Sequence, residues 1–189
     1  MSDWTSTAVG EVRESPDRVL RLFPVAARSV PRDVPGAAED ARADLVCVLV
    51  EEHGAAGAEL LTRLYRQGDD GEKRGVLHGL DRAVERGVGL GDDVVTAGRE
   101  VLADALRTND TRLVSAAMGR FGAAHLDQHA WRHGVLKLVF MGVPLEVVHD
   151  LGSRADDELA EMAERFAAER RAAGREVPPD LTLILSRPA

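Results

Sequence analysis

The sequence predicts an all-α fold of antiparallel helix pairs, arranged as a bundle or as a right-handed, HEAT-like superhelix. Apolar residues recur at spacings of three and four through most of the 189-residue chain. Side-chain caps and glycine stops punctuate those stretches, and only residues 181–185 have any strand character. Apolar residues make up 44% of the chain and aromatics only 4%, so the core has to be mostly Leu, Val and Ala, which suits close helix packing. This length fits a single domain over 1–189: an N-terminal helix and linker over 1–36, a helical-repeat body over 37–174, and a tail packed on the body over 175–189.

Ser15-Pro16-Asp17 reads as an N-cap, a proline at the first helical position and an acid in the first turn, so a helix is expected to start there. Pro24 should kink or end it, and the stretch from Pro31 to Gly36 is a linker. Residues 37–53 carry Ala41, Leu45, Val48 and Leu49 at helical spacing before Gly54 stops them, and residues 55–66 repeat the pattern with Leu60, Leu61 and Leu64. Asp69-Asp70-Gly71 turns the chain into a helix over 72–84, and 87–91 is a glycine-rich loop that follows no strand, unlike a dinucleotide-binding turn.

Residues 92–106 and 111–121 read as two helices, the second capped by Asn109 or Asp110. The pair from Leu60 to Leu80 resembles the pair from Leu102 to Met118 at an offset of about 40 residues, the period of HEAT-type repeats. Asp127 caps a helix reaching about Met141, and Ser153 with Asp156 resembles a capping box for a helix over 154–173 that Gly174 stops. Residues 181–185 are expected to form a last helical turn rather than a strand, since no other segment alternates well enough to pair with them.

The formal charge of −8, with acids and bases interleaved, argues against a nucleic-acid partner. No apolar run is long enough to span a bilayer, and residues 1–12 have no signal-peptide pattern, so membrane insertion and export are disfavoured and a cytoplasmic location is expected. Cys47, alone and flanked by valines, reads as an inert thiol in a reducing compartment. The basic residues are Arg except for Lys73 and Lys137, a bias that suggests a GC-rich bacterial genome.

The densest polar cluster is His125, Asp127, Gln128, His129, His133 and Lys137. His129, His133 and Lys137 are four residues apart and form one stripe on a helix. Two histidines so spaced suit a metal, yet the Glu that follows the first His of a zincin is replaced by Ala130; a ligand-contacting stripe and a solvated face are the other readings. Lys137, set among apolar residues, suits an anion site or a stem laid on apolar surface. Trp131 reads foremost as core, and Asp156, Asp157, Glu158 and Glu161 as first-turn acids. No nucleophile elbow, Cys-x-x-Cys pair or P-loop is present, and no cofactor or metal site is expected.

Residues 100–113 (EVLADALRTNDTRL), 126–143 (LDQHAWRHGVLKLVFMGV) with Pro144-Leu145, and 151–178 resemble the EboA family, small bacterial proteins encoded in clusters linked to secondary metabolism. Within that resemblance Asn109, Asp110, Asp127, Trp131 and Lys137 match the family pattern, while His133 stands where Gln or Asn is expected. The resemblance implies an accessory role in moving or processing natural-product precursors, without an assigned activity. The expected function is therefore a non-catalytic helical adaptor or small-ligand-binding protein, its partners being proteins of the same cluster or a small anionic metabolite. The alternative is an enzyme acting on a sugar-like, cyclitol or prenyl-diphosphate intermediate. The expected ligand-binding residues are Asn109, Asp110, Arg112, Asp127, His129, Trp131, His133 and Lys137, with the 129–133–137 stripe turned toward the 109–112 turn.

Overall fold

Side-chain caps start many of the helices in the computed structural model, which describes residues 2–185. Ser2 accepts from the Thr5 N–H and opens α1 (Asp3–Glu14), which precedes the first helix expected from the sequence. Its segment is largely polar, and Thr5, Ala8 and Val12 are its buried positions. Ser15 does precede a proline-led turn, but that turn is a 3₁₀ helix (Pro16–Arg18) and the serine makes no side-chain cap. It leads into α2 (Val19–Ser29), which runs on past Pro24 instead of ending there. Burial of Leu22, Phe23 and Ala26 along one face holds the helix past the missing N–H.

Helix α3 (Ala37–Gln67) contains the corner expected at Gly54, whose backbone, at φ 44° and ψ −121°, is open essentially only to glycine. A Cβ at Gly57 would lie 2.6 Å from the Leu49 carbonyl oxygen. Eight residues of straight helix would separate those positions by about 12 Å, so the chain turns back tightly between 37–53 and 55–67.

A capping box between Asp69 and Glu72 opens α4 (Asp70–Glu85). Gly75 and Gly79, one turn apart, let α4 press against α3: a Cβ at Gly79 would sit 2.4 Å from the Val46 Cβ, and one at Gly75 would sit 2.7 Å from the Arg42 Cβ. The contacting numbers rise together along both helices, so α4 runs parallel to 37–53, the direction that follows when 55–67 runs back between them. Ion pairs from Arg74 to Glu39, Arg82 to Asp40 and Asp44, and Arg86 to Asp44 lace this seam.

Beyond α5 (Asp92–Arg107), the single helix expected over 111–121 is two: α6 (Thr111–Ala117) and α7 (Arg120–His125). The break comes from Asp81 on α4, whose Oδ1 accepts the Phe121 N–H at 2.8 Å. A Cβ at Gly119 would lie 1.9 Å from the Asp81 Oδ2, so only glycine lets this carboxylate in to restart the helix. Burial pushes the Asp81 carboxyl pKa up, against the lowering effect of the Phe121 N–H.

Asp127 caps α8 (Gln128–Phe140) as expected, accepting from the Ala130 N–H. The capping box does not lie where it was expected. Ser153 sits inside the short α9 (Leu151–Arg154), its hydroxyl donating to the Asp150 carbonyl, and Asp156 caps α10 (Asp157–Ala172) through the Leu159 N–H. Gly174, at φ 65°, follows α10, and α11 (Leu181–Leu185) is the expected last helical turn. Leu181 and Ile184 are buried, and the Leu145 N–H donates to the Asp180 carboxylate. Residues 186–189 of the expected tail, like Met1, lie outside the described residues.

Helix, with the two 3₁₀ turns included, accounts for 78% of the described residues, and no strand occurs among them. One contiguous cluster of buried apolar side chains extends from Ala8 to Ile184, and Cys47 is buried within it. No helix among the described residues is long and apolar enough to cross a membrane.

Candidate functional site

Helix α8 carries His129, Trp131, His133 and Lys137 of the expected site residues, with Asp127 as its N-cap. Trp131 is completely buried there, with the Arg154 guanidinium 4.8 Å from its ring. Arg154 also donates to the carbonyls of Gly122, Ala123 (2.6 Å) and Leu126 (3.0 Å) and to Gln128 Oε1 (2.9 Å), so it closes the open carbonyl end of α7 and ties it to the first turn of α8. On the opposite flank, a Cβ at Gly134 would meet the Met118 sulfur at 2.4 Å, which shows how closely α8 approaches its neighbour.

His129 and His133 are exposed on the outward face, their rings edge-on at 4.4 Å. Lys137 is half-buried one turn on, and its Nζ donates to the Leu106 carbonyl at 2.8 Å. That carbonyl lies in the last turn of α5, where a cation also complements the helix dipole. An ammonium has three donors, so this bond leaves Lys137 two further N–H groups.

Between the second half of α8 and α10 lies a groove of about 640 Å³ bordered by Asn109, His133 and Lys137. Leu136, Phe140, Met141, Met162 and Phe166 give it an apolar lining, and Arg165 and Glu169 add one charge of each sign. Phe140 is 64% exposed and meets Phe166 with ring centroids 4.2 Å apart. Nothing in the sequence marks the α10 side of this groove. Phe166 falls on the apolar face of an amphipathic helix, and nothing in its spacing reveals that Phe140 lies across from it.

The other expected residues lie elsewhere. Arg112 is paired with its own neighbour Asp110 at 2.9 Å and, with Thr111, borders a second groove of about 720 Å³ that includes Arg74, His78 and Asp81. Met141 is common to both grooves and divides them. Asp127 caps α8 ten residues, about 15 Å of helix, from Lys137. His125 ends α7 instead of extending the α8 stripe, and its ring stacks against Phe121. Burial and the nearby Arg99 lower its pKa. Among the described residues no three His, Cys, Asp or Glu side chains come together as a metal-holding group.

The Asp110–Arg112 pair gives a measurable pH signature. The guanidinium hydrogen bond, reinforced by the Arg112 and Leu113 N–H groups, lowers the Asp110 carboxyl from 3.8 to about 2. A depressed folded-state pKa means that the stabilisation is present above about pH 4 and is lost as the pH falls toward 2. An NMR titration of the Asp110 carboxyl carbon should show this low midpoint, and Arg112→Ala should raise it while the two backbone donors keep it below 3.8.

Residues 96–186 contain both α8 and α10 and therefore every residue bordering the groove between them. This stretch matches the family of the metabolite traffic protein EboA. The EboA match covers just under half of the chain and leaves out α1 to α4. No curated protein and no solved structure matches the chain.

Proposed function

We propose that the protein binds a small amphiphilic anion in the α8–α10 groove and carries or presents it as a non-catalytic accessory of metabolite traffic. The observation that carries this reading is the exposed Phe140 packed on Phe166 in an apolar trough that has the Lys137 ammonium at its side. An aromatic exposed to this degree beside a partly satisfied cation suits a ligand with an apolar body and an acidic head. The EboA match over residues 96–186 supports the metabolite-related role.

In this reading the helix pairs wind as a HEAT-like, right-handed superhelix, and the protein works in a bacterial cytoplasm. Its partners are the other proteins of a natural-product cluster, to which it hands precursors. The parallel register of α4 on the first half of α3 is the relation that next-but-one helices have in such repeats. Turnover is the less favoured reading, because Asp127 and His129, the groups it would use to move protons, stand about 15 Å and 12 Å along α8 from Lys137.

Titration with decanoate, an apolar chain with a carboxylate head, tests the reading. The wild type is expected to bind it, and Phe140→Asp should weaken binding at least tenfold while the helical circular dichroism is unchanged, since Phe140 is a surface residue. Absence of binding by the wild type, or undiminished binding by the folded variant, would overturn it.

A further inference from the structure

The α8–α10 groove is ordered along its length. Arg132 of α8 pairs with Glu158 of α10, and further on Phe140 meets Phe166. The same interval of eight residues separates Arg132 from Phe140 and Glu158 from Phe166, so the two helices run side by side, in one direction and in step. Lys137 precedes Phe140 by three residues, and Glu169 follows Phe166 by three. Along the groove these two charges therefore stand about 9 Å apart, with the aromatic pair between them.

The two ends offer different chemistry. Lys137 keeps two N–H groups after its bond to the Leu106 carbonyl, and the Asn109 amide borders the same end. On the opposite wall Arg165 and Glu169 are exposed, and neither side chain has a hydrogen-bond or ion-pair partner among the described residues. Their order on α10, base before acid, is the weaker one for a pair four residues apart, which leaves both groups open to a ligand. Lys137 and Arg165 against Glu169 leave the lining with one surplus positive charge when His133 is neutral. A monoanion cancels that surplus. A second carboxylate on the ligand would face Glu169, and a ligand ammonium would restore the surplus. An ionised Glu169 accepts hydrogen bonds and donates none, so the uncharged group that suits it is a hydroxyl.

We infer, resting on the amphiphile site proposed above, that its ligand is an ω-hydroxylated carboxylate. The carboxylate accepts from Lys137 and Asn109, the apolar body lies on the Phe140–Phe166 pair, and the terminal hydroxyl donates to Glu169. Arg165 can in turn donate to the hydroxyl oxygen. Glu169 is then the residue that selects the far end of the ligand.

Calorimetric titration of the full chain with decanoate, ω-hydroxydecanoate and decanedioate tests this assignment. ω-Hydroxydecanoate should bind at least about fivefold tighter than decanoate, since it gains a hydrogen bond to a charged acceptor, and decanedioate should bind weakest of the three. Glu169→Ala changes an exposed side chain and should leave the melting temperature unaltered. It should abolish the preference for the hydroxyl and tighten decanedioate at least about fivefold, with little effect on decanoate. Binding of ω-hydroxydecanoate no tighter than that of decanoate, decanedioate as the tightest ligand, or a hydroxyl preference that survives Glu169→Ala would each overturn the assignment and leave the decanoate site standing. Binding of none of the three by the wild type would overturn the site and the assignment together.

Discussion

Replacing Trp131 with alanine is expected to lower the free energy of unfolding by about 3–5 kcal/mol, the range for removing a large aromatic from a packed core. The indole is completely buried, and no small shift of α8 can fill its volume while Gly134 is held against Met118. Urea unfolding measures the loss directly. Trp131→Phe should cost much less, because the indole N–H is buried without a partner and phenylalanine removes that donor along with part of the ring. Equal losses in the two variants would mean that the indole N–H is satisfied in solution and contributes to the anchor.

Arg154→Ala is expected to cost about 2–4 kcal/mol, since one change strips charge-assisted hydrogen bonds from three carbonyls and from Gln128. Those carbonyls belong to the end of α7 and its junction with α8, so the damage should spread to the placement of His133 and Lys137. Arg154→Lys should recover less than half of the loss, because an ammonium cannot fork between the α7 carbonyls and Gln128 as a planar guanidinium does. A double-mutant cycle of Arg154→Ala with Trp131→Ala should show coupling of about 0.5–2 kcal/mol from the stacked pair. Strict additivity would show that the guanidinium acts only through its hydrogen bonds.

The features legible in the sequence are those whose causes are local. Asp110 and Asp127 cap the helices that follow them because a cap needs only a short side chain and N–H groups two or three residues on. Gly54 and Gly174 mark a corner and a stop for equally local reasons of backbone freedom. The break between α6 and α7 was not legible, since its cause, Asp81, comes from a helix about forty residues earlier. The capping box was misplaced because Ser153 and Asp156 both suit an N-cap, and the bonds of Gln128 and Arg132 to Asp156 come from α8, a separate element.

The candidate site divides in the same way. The stripe of His129, His133 and Lys137 follows from helical spacing, and Asp110 and Arg112 pair because they are neighbours in sequence. What the stripe faces depends on tertiary packing. Asn109 and Lys137 border one groove because Lys137 reaches the last turn of α5, whereas Arg112, one helical turn beyond Asn109, borders the other side of Met141.

The backbone amide signals of the wild-type protein, followed as decanoate is added, report directly on a metabolite groove between α8 and α10. Saturable shifts are expected at Asn109, residues 136–141 and residues 162–169, which border the groove. Shifts confined to other surfaces, or none at concentrations where decanoate is still monomeric, would contradict binding there.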